Sequence, residues 1–324
     1  MKIAFVTPTN GIIGGVEVFT RDVFKILKER EHIVDIVSLE SLDRKVEFGE
    51  ERALGEYFNS VNRTNNYDVV LCNGEFGYAV EHSRAINVFH GNYYGYARSV
   101  EHLVPEDLTR NRMEKVVMQR ESAKGKYVVT VSEFAKIGLD ASGIFVDQVI
   151  RNSVDPEFFS PQDEGVGEHV LSLARGSYYE KGFDILEELA ERDLSIRLFS
   201  DRTISGSNVD CREFFDNSEL AREYSKAVVL LHPSRFEGGA LVTLEPLACG
   251  CPILTTPVGY GPEISREIPE FVVSDVDNID EYLEKLGVIR SRRDELSKRG
   301  REYFLENHSP EEFRDKWVKL VEGM

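Results

Sequence analysis

Short apolar, β-branched runs alternate with longer amphipathic stretches along the whole chain, the pattern of βα units built around a parallel sheet. The first half predicts strands over Lys2–Thr7, Ile33–Leu39, Asp68–Cys72, Ala85–Phe89, Tyr127–Val131 and Val146–Ile150, with helices such as Val16–Glu29 and Pro105–Lys124 between them. The second half repeats the rhythm. Strands are expected over Val170–Ala174, Ser195–Phe199, Ala227–His232, Pro252–Thr255 and Phe271–Val273, and helices over Lys181–Arg192, Ser218–Lys226 and Ala240–Gly250. No sequence repeat accompanies the rhythm, so the same layered α/β unit is expected twice without shared sequence. The last helix, Pro310–Gly323, sets Phe313, Trp317 and Leu320–Val321 at helical spacing, and Ser309, Pro310 and Glu312 form a start signal for it.

The join falls in Arg151–Gly165. There Arg151-Asn152-Ser153-Val154-Asp155-Pro156 leads into Ser160-Pro161 and the polar, Gly-containing Gln162–Gly167. The expected division is 1–155, 156–306, and a terminal segment 307–324 that packs back on the first domain. Ligands of parallel α/β sheets bind at the carboxyl ends of the strands, so a cleft between two such domains is the expected site.

A chain of 324 residues has the length of about two domains. With 41% hydrophobic and 30% charged residues it has the balance of a globular protein rather than a disordered one. No run approaches the ~18 apolar residues of a membrane span. The start, Met1 to Thr7, is broken too soon by Pro8 to read as a signal peptide. Four scattered cysteines (Cys72, Cys211, Cys249 and Cys251) point to a reduced compartment, and a cytoplasmic location is expected. The net charge of −18 argues against a nucleic-acid partner held by general electrostatics. The deficit is lopsided: residues 1–150 carry 18 Lys and Arg against 22 Asp and Glu, the rest 21 against 35. Arg84–Lys126 is locally basic, eight against five. Weak peripheral contact with a membrane or an anionic acceptor has a place there, and an ordinary solvated face is the blander account.

Three segments carry candidate chemistry. Gly11-Ile12-Ile13-Gly14-Gly15-Val16-Glu17 follows the first strand and opens a helix, where adjacent glycines and a helix N-terminus suit an anionic group; a bare tight turn is the alternative. It lacks the third glycine of the dinucleotide fingerprint. Ala174-Arg175-Gly176-Ser177-Tyr178-Tyr179-Glu180-Lys181-Gly182 sets two cations between a strand and a helix, where they can converge on one anion or simply bracket a solvated loop. The helix dipole disfavours a cation at Lys181, and an anionic ligand would compensate it. Pro233-Ser234-Arg235-Phe236-Glu237-Gly238-Gly239-Ala240-Leu241-Val242-Thr243-Leu244-Glu245 places Glu237 on a loop and Glu245 in the helix that follows. Two carboxylates so placed suit different hydroxyls of one extended ligand, while Glu245 as a dipole-complementing glutamate is the competing account.

Taken together these segments resemble the family-four retaining glycosyltransferases, the glycosyl transferases group 1, with the GT-B fold. Gly14-Gly15, Asn152-Ser153-Val154-Asp155, Arg175 with Lys181-Gly182, and Glu237 with Glu245 fall in the family's order, and Gly250-Cys251-Pro252-Ile253-Leu254, Pro257-Val258-Gly259 and Glu263 extend the likeness. The resemblance implies two Rossmann-like domains facing across a cleft, the first on the acceptor side and the second binding the donor. It implies a sugar transferred from a nucleoside-diphosphate sugar to an acceptor hydroxyl on a carbohydrate, lipid-linked or other molecule. Arg175 and Lys181 would hold the diphosphate, Glu237 the sugar hydroxyls and Glu245 the ribose. Gly238, Gly239, Ala240 and Leu241 would offer backbone N–H groups, and Gly14 and Gly15 would pack against diphosphate or sugar. His90, at the end of a first-domain strand, matches the family's histidine beside the donor sugar; a satisfied strand-end histidine is the alternative. Glu237, His90, Lys181 and Arg175 would form the catalytic set, with no cofactor and no metal.

The chain departs from the family at Gly239-Ala240, where an aromatic and a glycine are usual, at Ala174 before the arginine, at Arg151-Asn152-Ser153, and at Phe199-Ser200-Asp201-Arg202-Thr203. Those changes leave the base unspecified; it would lie near Asp201-Arg202 and Asp210–Phe215. Ser132 in Ser132-Glu133-Phe134 reads as an N-cap. Asp275-Val276-Asp277 imitates an Asp-x-Asp metal motif but sits late among turn residues, and Cys249-Gly250-Cys251 lacks zinc spacing and reads as a helix end with one buried and one half-buried thiol. A GT-B sugar-nucleotide epimerase and a non-catalytic nucleotide-sugar-binding subunit are the rival functions.

Overall fold

The computed structural model of the chain describes residues 1–9, 14–42, 49–163, 165–213 and 217–324. Gly11, Ile12 and Ile13, part of the polar linker at 164, and Phe214-Phe215 of the expected base-side stretch lie outside them. The described residues form two compact units, 1–98 with 106–152 and 311–324, and 99–105 with 153–310.

In the first unit the apolar runs become β1 (Lys2–Val6), β2 (Ile33–Val37), β3 (Val69–Asn73), β4 (Ala85–Phe89), β5 (Tyr127–Thr130) and β6 (Gln148–Val149). They pair in parallel in the order β2-β1-β3-β4-β5-β6, with Phe5 opposite Ile36 and Leu71. Helices α1 (Gly15–Glu29), α2 (Glu50–Asn65), α3 (Tyr93–Val100), α4 (Glu106–Ala123) and α5 (Glu133–Ala141) run between or beside the strands. Alternation divides the core in two, as expected of strands buried on both faces. Ile3, Phe5, Val69, Leu71, Ile86 and Val88 pack with Phe19, Val23 and Leu27 of α1, whereas Ala4, Val6, Val70 and Cys72 pack with Leu54 and Phe58 of α2. Ser132 caps α5, its Oγ accepting from Ala135 N at 3.0 Å.

The second unit holds β7 (Val170–Ala174), β8 (Ile196–Ser200), β9 (Val209–Arg212), β10 (Val229–His232) and β11 (Ile253–Thr255), parallel in the order β11-β10-β7-β8-β9. Its helices are α6 (Phe183–Glu191), α7 (Asn217–Lys226), α8 (Leu241–Ala248), α9 (Gly261–Glu267), α10 (Ile279–Ser291) and α11 (Arg293–Asn307). The chain then returns as α12 (Pro310–Gly323) to the first unit, where Phe313, Trp317 and Val321, four residues apart, join the α1 face of the core.

The strand expected over Phe271–Val273 does not form. Pro269, which has no N–H to donate, opens a 3-10 turn over Pro269–Phe271, and only Val272 bridges to Thr255. Conversely β9, whose residues alternate between half-buried and exposed, is an edge strand that lies outside the strands predicted from the sequence.

In each sheet the strand order reverses direction beside the unit's first strand, between β1 and β3 and between β7 and β10. Those topological switch points are where parallel α/β sheets open a crevice at their carboxyl ends.

Candidate active site

At the switch point of the second sheet, β7 ends at Ala174 and Arg175 follows it at once, exposed. A turn over 177–182 then leads to α6, with Lys181 N bonded to Ser177 O at 3.0 Å. Gly182 adopts a left-handed conformation (φ 68°), and a Cβ there would lie 2.2 Å from Pro233 O. Only glycine permits both the backbone angle and the approach. The approach is fastened by Arg235, whose N donates to Glu180 O at 2.7 Å and whose guanidinium donates to Tyr179 O at 2.9 Å. That guanidinium is buried and grips both Asp184 oxygens at 2.8 Å and Asp277 Oδ1 at 2.6 Å.

The result is an ion pair. Lys181 Nζ donates to Glu237 Oε1 at 2.7 Å and lies 3.5 Å from Glu180 Oε1. His232 Nε2 lies 3.3 Å from the same Glu237 oxygen and 3.1 Å from Ser234 Oγ. Burial alone would raise the Glu237 pKa. The Lys181 ammonium and His232 overcome it and hold the carboxyl well below the usual range. Burial would likewise lower the Lys181 pKa, and Glu237 with Glu180 raise it instead. Behind the pair, Gly259 is left-handed (φ 57°) and a Cβ there would come within 3.3 Å of Glu237 Cβ, so the loop after β11 closes on Glu237.

Gly238 and Gly239 lead into α8, whose N-cap, Ala240, brings no side-chain oxygen to the N–H groups of the first turn from Leu241 onward. Glu245 lies in the second turn of α8, not at its start, so it is not a dipole-complementing residue. Its Oε2 accepts from the fully buried Tyr224 hydroxyl of α7 at 2.7 Å. Burial lifts its pKa to about 7, with the Tyr224 hydrogen bond pulling the other way. On the expected base side, Gly176 N donates to Asp201 Oδ2 at 3.3 Å, and Arg202 donates to Gly176 O at 2.6 Å with its guanidinium 4.9 Å over the Phe183 ring.

In the first unit Gly14 is the N-cap of α1, extended (φ −144°), and a Cβ there would lie 2.6 Å from Glu17 Oε2; among the described residues nothing lies within 4 Å of a Cβ at Gly15. His90 follows β4 directly, its Nε2 3.1 Å from Asn73 Oδ1 and its ring edge-on to Phe19 at 4.6 Å. The second unit thus brings Lys181, Glu237 and the start of α8 to one strand edge, while Gly14, Gly15 and His90 belong to the first unit.

The two sequence decoys have other uses. Asp277 is the partner of Arg235, and Asp275 Oδ1 accepts from Asp277 N at 3.0 Å. Both Cys249 and Cys251 are buried, correcting the expectation of one half-buried thiol: left-handed Gly250 (φ 70°) ends the turn after α8 and returns the chain to the core. His232, Arg235, Tyr224 and Asn73 were not singled out from sequence. For His232 and Asn73 the signal is a polar residue ending an apolar run, which many strand ends share; Arg235 and Tyr224 stand among polar neighbours and carry no such signal.

Residues 190–291 match the family described as glycosyl transferases group 1. An uncharacterized glycosyltransferase of Methanocaldococcus jannaschii is 25% identical over 100% of this chain and 97% of its own. Sucrose-phosphate synthase from Thermosynechococcus elongatus superposes with a TM-score of 0.80 at 17% identity, covering 99% of this chain and 98% of the other. HepE of Anabaena, solved with UDP-glucose, gives 0.75 at 15% identity over 100% of both chains. WaaG, a glycosyltransferase of lipopolysaccharide biosynthesis, gives 0.73 at 14% over 99% and 100%.

The fold is GT-B. Both halves of this GT-B chain are Rossmann-like, and the switch point of the second half carries Lys181, Glu237 and Arg175. Among the described residues no helix is long and apolar enough to cross a membrane.

Proposed function

We propose that the chain is a retaining glycosyltransferase that moves a sugar from a nucleoside-diphosphate sugar to an acceptor hydroxyl. The observation that carries the reading is the Lys181–Glu237 pair at 2.7 Å beside the uncapped start of α8, at the switch point of a GT-B half. A cation, a carboxylate and the N–H groups of a helix start that no side chain caps, on one strand edge, match the three demands of such a donor: diphosphate charge, sugar hydroxyls and phosphate oxygens. The match of residues 190–291 to glycosyl transferases group 1 supports a transferase, and HepE, of like fold, binds UDP-glucose. A uridine nucleotide is therefore the first donor to try.

In this reading Arg175 and Lys181 hold the diphosphate, with Gly238, Gly239, Ala240 and Leu241 offering backbone N–H groups. Glu237 takes sugar hydroxyls and Glu245 the ribose. His90, Gly14 and Gly15 are assigned to the sugar and diphosphate. As the glycosidic bond breaks, the sugar gains oxocarbenium character and the leaving diphosphate gains negative charge, which Lys181, Arg175 and the helix N–H groups stabilise. The departing phosphate takes the acceptor proton, so no separate base and no metal are needed. The acceptor belongs to glycan or glycoconjugate synthesis, and the reaction runs in the cytoplasm.

The test is a panel of nucleotide sugars with product analysis by NMR. Release of nucleoside diphosphate with a product of unchanged anomeric configuration is expected. An epimerised donor would indicate the epimerase instead, and tight binding without turnover a non-catalytic subunit.

A further inference from the structure

The carboxyl edge of the first sheet ends in three polar residues that share one face. Ile3, Phe5, Val69, Leu71, Ile86 and Val88 face α1. One further step of two along each chain gives Thr7, Asn73 and His90 on that same face. Because β1, β3 and β4 are neighbours in the sheet, these residues stand side by side, with Thr20 of α1 over them.

The direction of every hydrogen bond in this group follows from one carbonyl. Thr20 Oγ1 lies 2.8 Å from Val16 O, which can only accept, so the single hydroxyl proton points there. Towards Asn73, 2.9 Å away, Thr20 must then accept, and the Asn73 atom facing it is the amide Nδ2. The other Nδ2 proton serves Thr7 Oγ1 at 3.0 Å. Oδ1 is thereby turned to His90 Nε2 at 3.1 Å, and an acceptor at that place requires the proton on Nε2. Burial favours the uncharged ring and lowers its pKa to about 4. Nδ1 is left with its lone pair.

We infer that Asn73, its amide fixed by Thr20, holds His90 as the Nε2–H tautomer and thereby presents Nδ1 as a hydrogen-bond acceptor for a sugar hydroxyl. Asn73 and Thr20 are positioning residues. The sugar contact rests on the proposed function, whereas the tautomer rests on the hydrogen bonds alone. The arrangement selects a donor bearing a hydroxyl at the position facing His90, since a hydrogen or a carbonyl oxygen there gives Nδ1 no proton to accept.

Long-range proton–nitrogen NMR on protein labelled with 15N-histidine reads the tautomer directly, with His90→Gln identifying the resonances. A protonated Nε2 and an unprotonated Nδ1 are expected in the unsubstituted chain, and the reverse overturns the inference. Thr20→Val and Asn73→Leu should move both nitrogens towards averaged positions; spectra unchanged in both variants also overturn it. Asn73→Asp keeps an acceptor and adds a charge, so the tautomer should persist while the proton affinity of His90 rises roughly tenfold to a thousandfold. In transfer assays Asn73→Leu should lower kcat/KM by roughly tenfold. Unchanged kcat/KM in a variant whose tautomer has shifted overturns the sugar contact.

Discussion

Lys181 and Glu237 neutralise each other at 2.7 Å, across a gap of 56 residues in sequence. Their side chains are 22% and 15% exposed, so water screens the pair only in part. It ties the turn after β7 to the segment after β10, the two strands that flank the switch point. Under the proposed function a donor diphosphate does not meet a bare cation. It shares Lys181 with Glu237, and Glu237 in turn divides itself between the ammonium and a sugar hydroxyl.

Breaking one side of this pair should therefore cost more than removing both. Lys181→Met leaves Glu237 uncompensated and should lower stability by about 3 kcal/mol, the low end for buried pairs because both side chains keep some solvent contact. Adding Glu237→Gln should recover part of that loss, with a coupling of about 1–3 kcal/mol in urea denaturation. Additive losses would show that the two groups stabilise the fold independently.

Gly182 makes the pair possible, and its replacement has a clean control. Gly182→Ala suffers a left-handed alanine, about 1–2 kcal/mol, together with a Cβ 2.2 Å from Pro233 O. Gly176→Ala also carries a positive φ (104°), but among the described residues nothing lies within 4 Å of the new Cβ. Gly182→Ala should show the lower denaturation midpoint and the weaker nucleotide affinity. Equal effects in the two variants would mean that the approach to Pro233 does not position Lys181.

What was legible from sequence depended on how local the cause was. Ala85–Phe89 and Val170–Ala174 could be bounded to the residue because charged or polar neighbours fence an apolar run on each side. The edge strand β9, reading Val-Asp-Cys-Arg, buries too little to leave such a pattern. Among the site residues, the position of Lys181 and Glu237 on strand-to-helix connections, and of Glu245 in the helix that follows, was legible, since each lies within a few residues of a glycine and a helix start. Their partners were not. Tyr224, His232 and Asn73 owe their roles to neighbours brought in by sheet order and by one left-handed glycine, and neither leaves a mark in local composition.

Glu245 should make both stability and nucleotide binding depend on pH near neutrality. Burial raises its pKa from 4.5 to about 7, so the folded chain holds this proton more tightly than the unfolded one. The stabilisation is complete below about 4.5 and is lost as pH rises through about 7. Glu245→Gln removes that dependence, so its melting temperature should gain on that of the unsubstituted chain across the same window. Nucleoside diphosphate affinity should move oppositely, rising as the carboxylate forms, and should be flat and weaker by about 1–3 kcal/mol in Glu245→Gln. Calorimetry at several pH values checks both; a pH-independent affinity in the unsubstituted chain would remove Glu245 from the ribose.

The terminal helix α12 bears on His90 through one ring. Phe19 lies 4.6 Å from His90 and 5.3 Å from Trp317, which is fully buried. Trp317→Ala should cost about 3–5 kcal/mol as a core truncation. By loosening Phe19 it should also lower kcat, by up to roughly a hundredfold if the imidazole shifts by an ångström. Trp317→Phe, which keeps a ring against Phe19, should recover most of the turnover. If Trp317→Ala weakened stability alone, at a temperature where it remains folded, the helix would be a purely structural cover.

A diphosphate leaving group needs its growing charge balanced, and the proposed mechanism assigns that task to the chain itself. Lys181 and Arg175 supply two cations beside the switch point, and the start of α8 adds the partial positive charge of its N–H groups. Asp277 already receives two bonds from Arg235. Activity should therefore survive chelation of divalent ions. Lys181→Ala should lower kcat by roughly tenfold to a thousandfold, the scale of one lost preorganised electrostatic contact. Full kinetics are needed, because a contact that strengthens as charge develops lowers kcat rather than only raising KM. The destabilisation expected of the variant is separated from this effect by assaying below its melting range. Loss of activity in chelator, restored by magnesium or manganese, would overturn the metal-free mechanism and return attention to Asp275 and Asp277. Undiminished kcat in Lys181→Ala would leave Lys181 only its structural bond to Glu237.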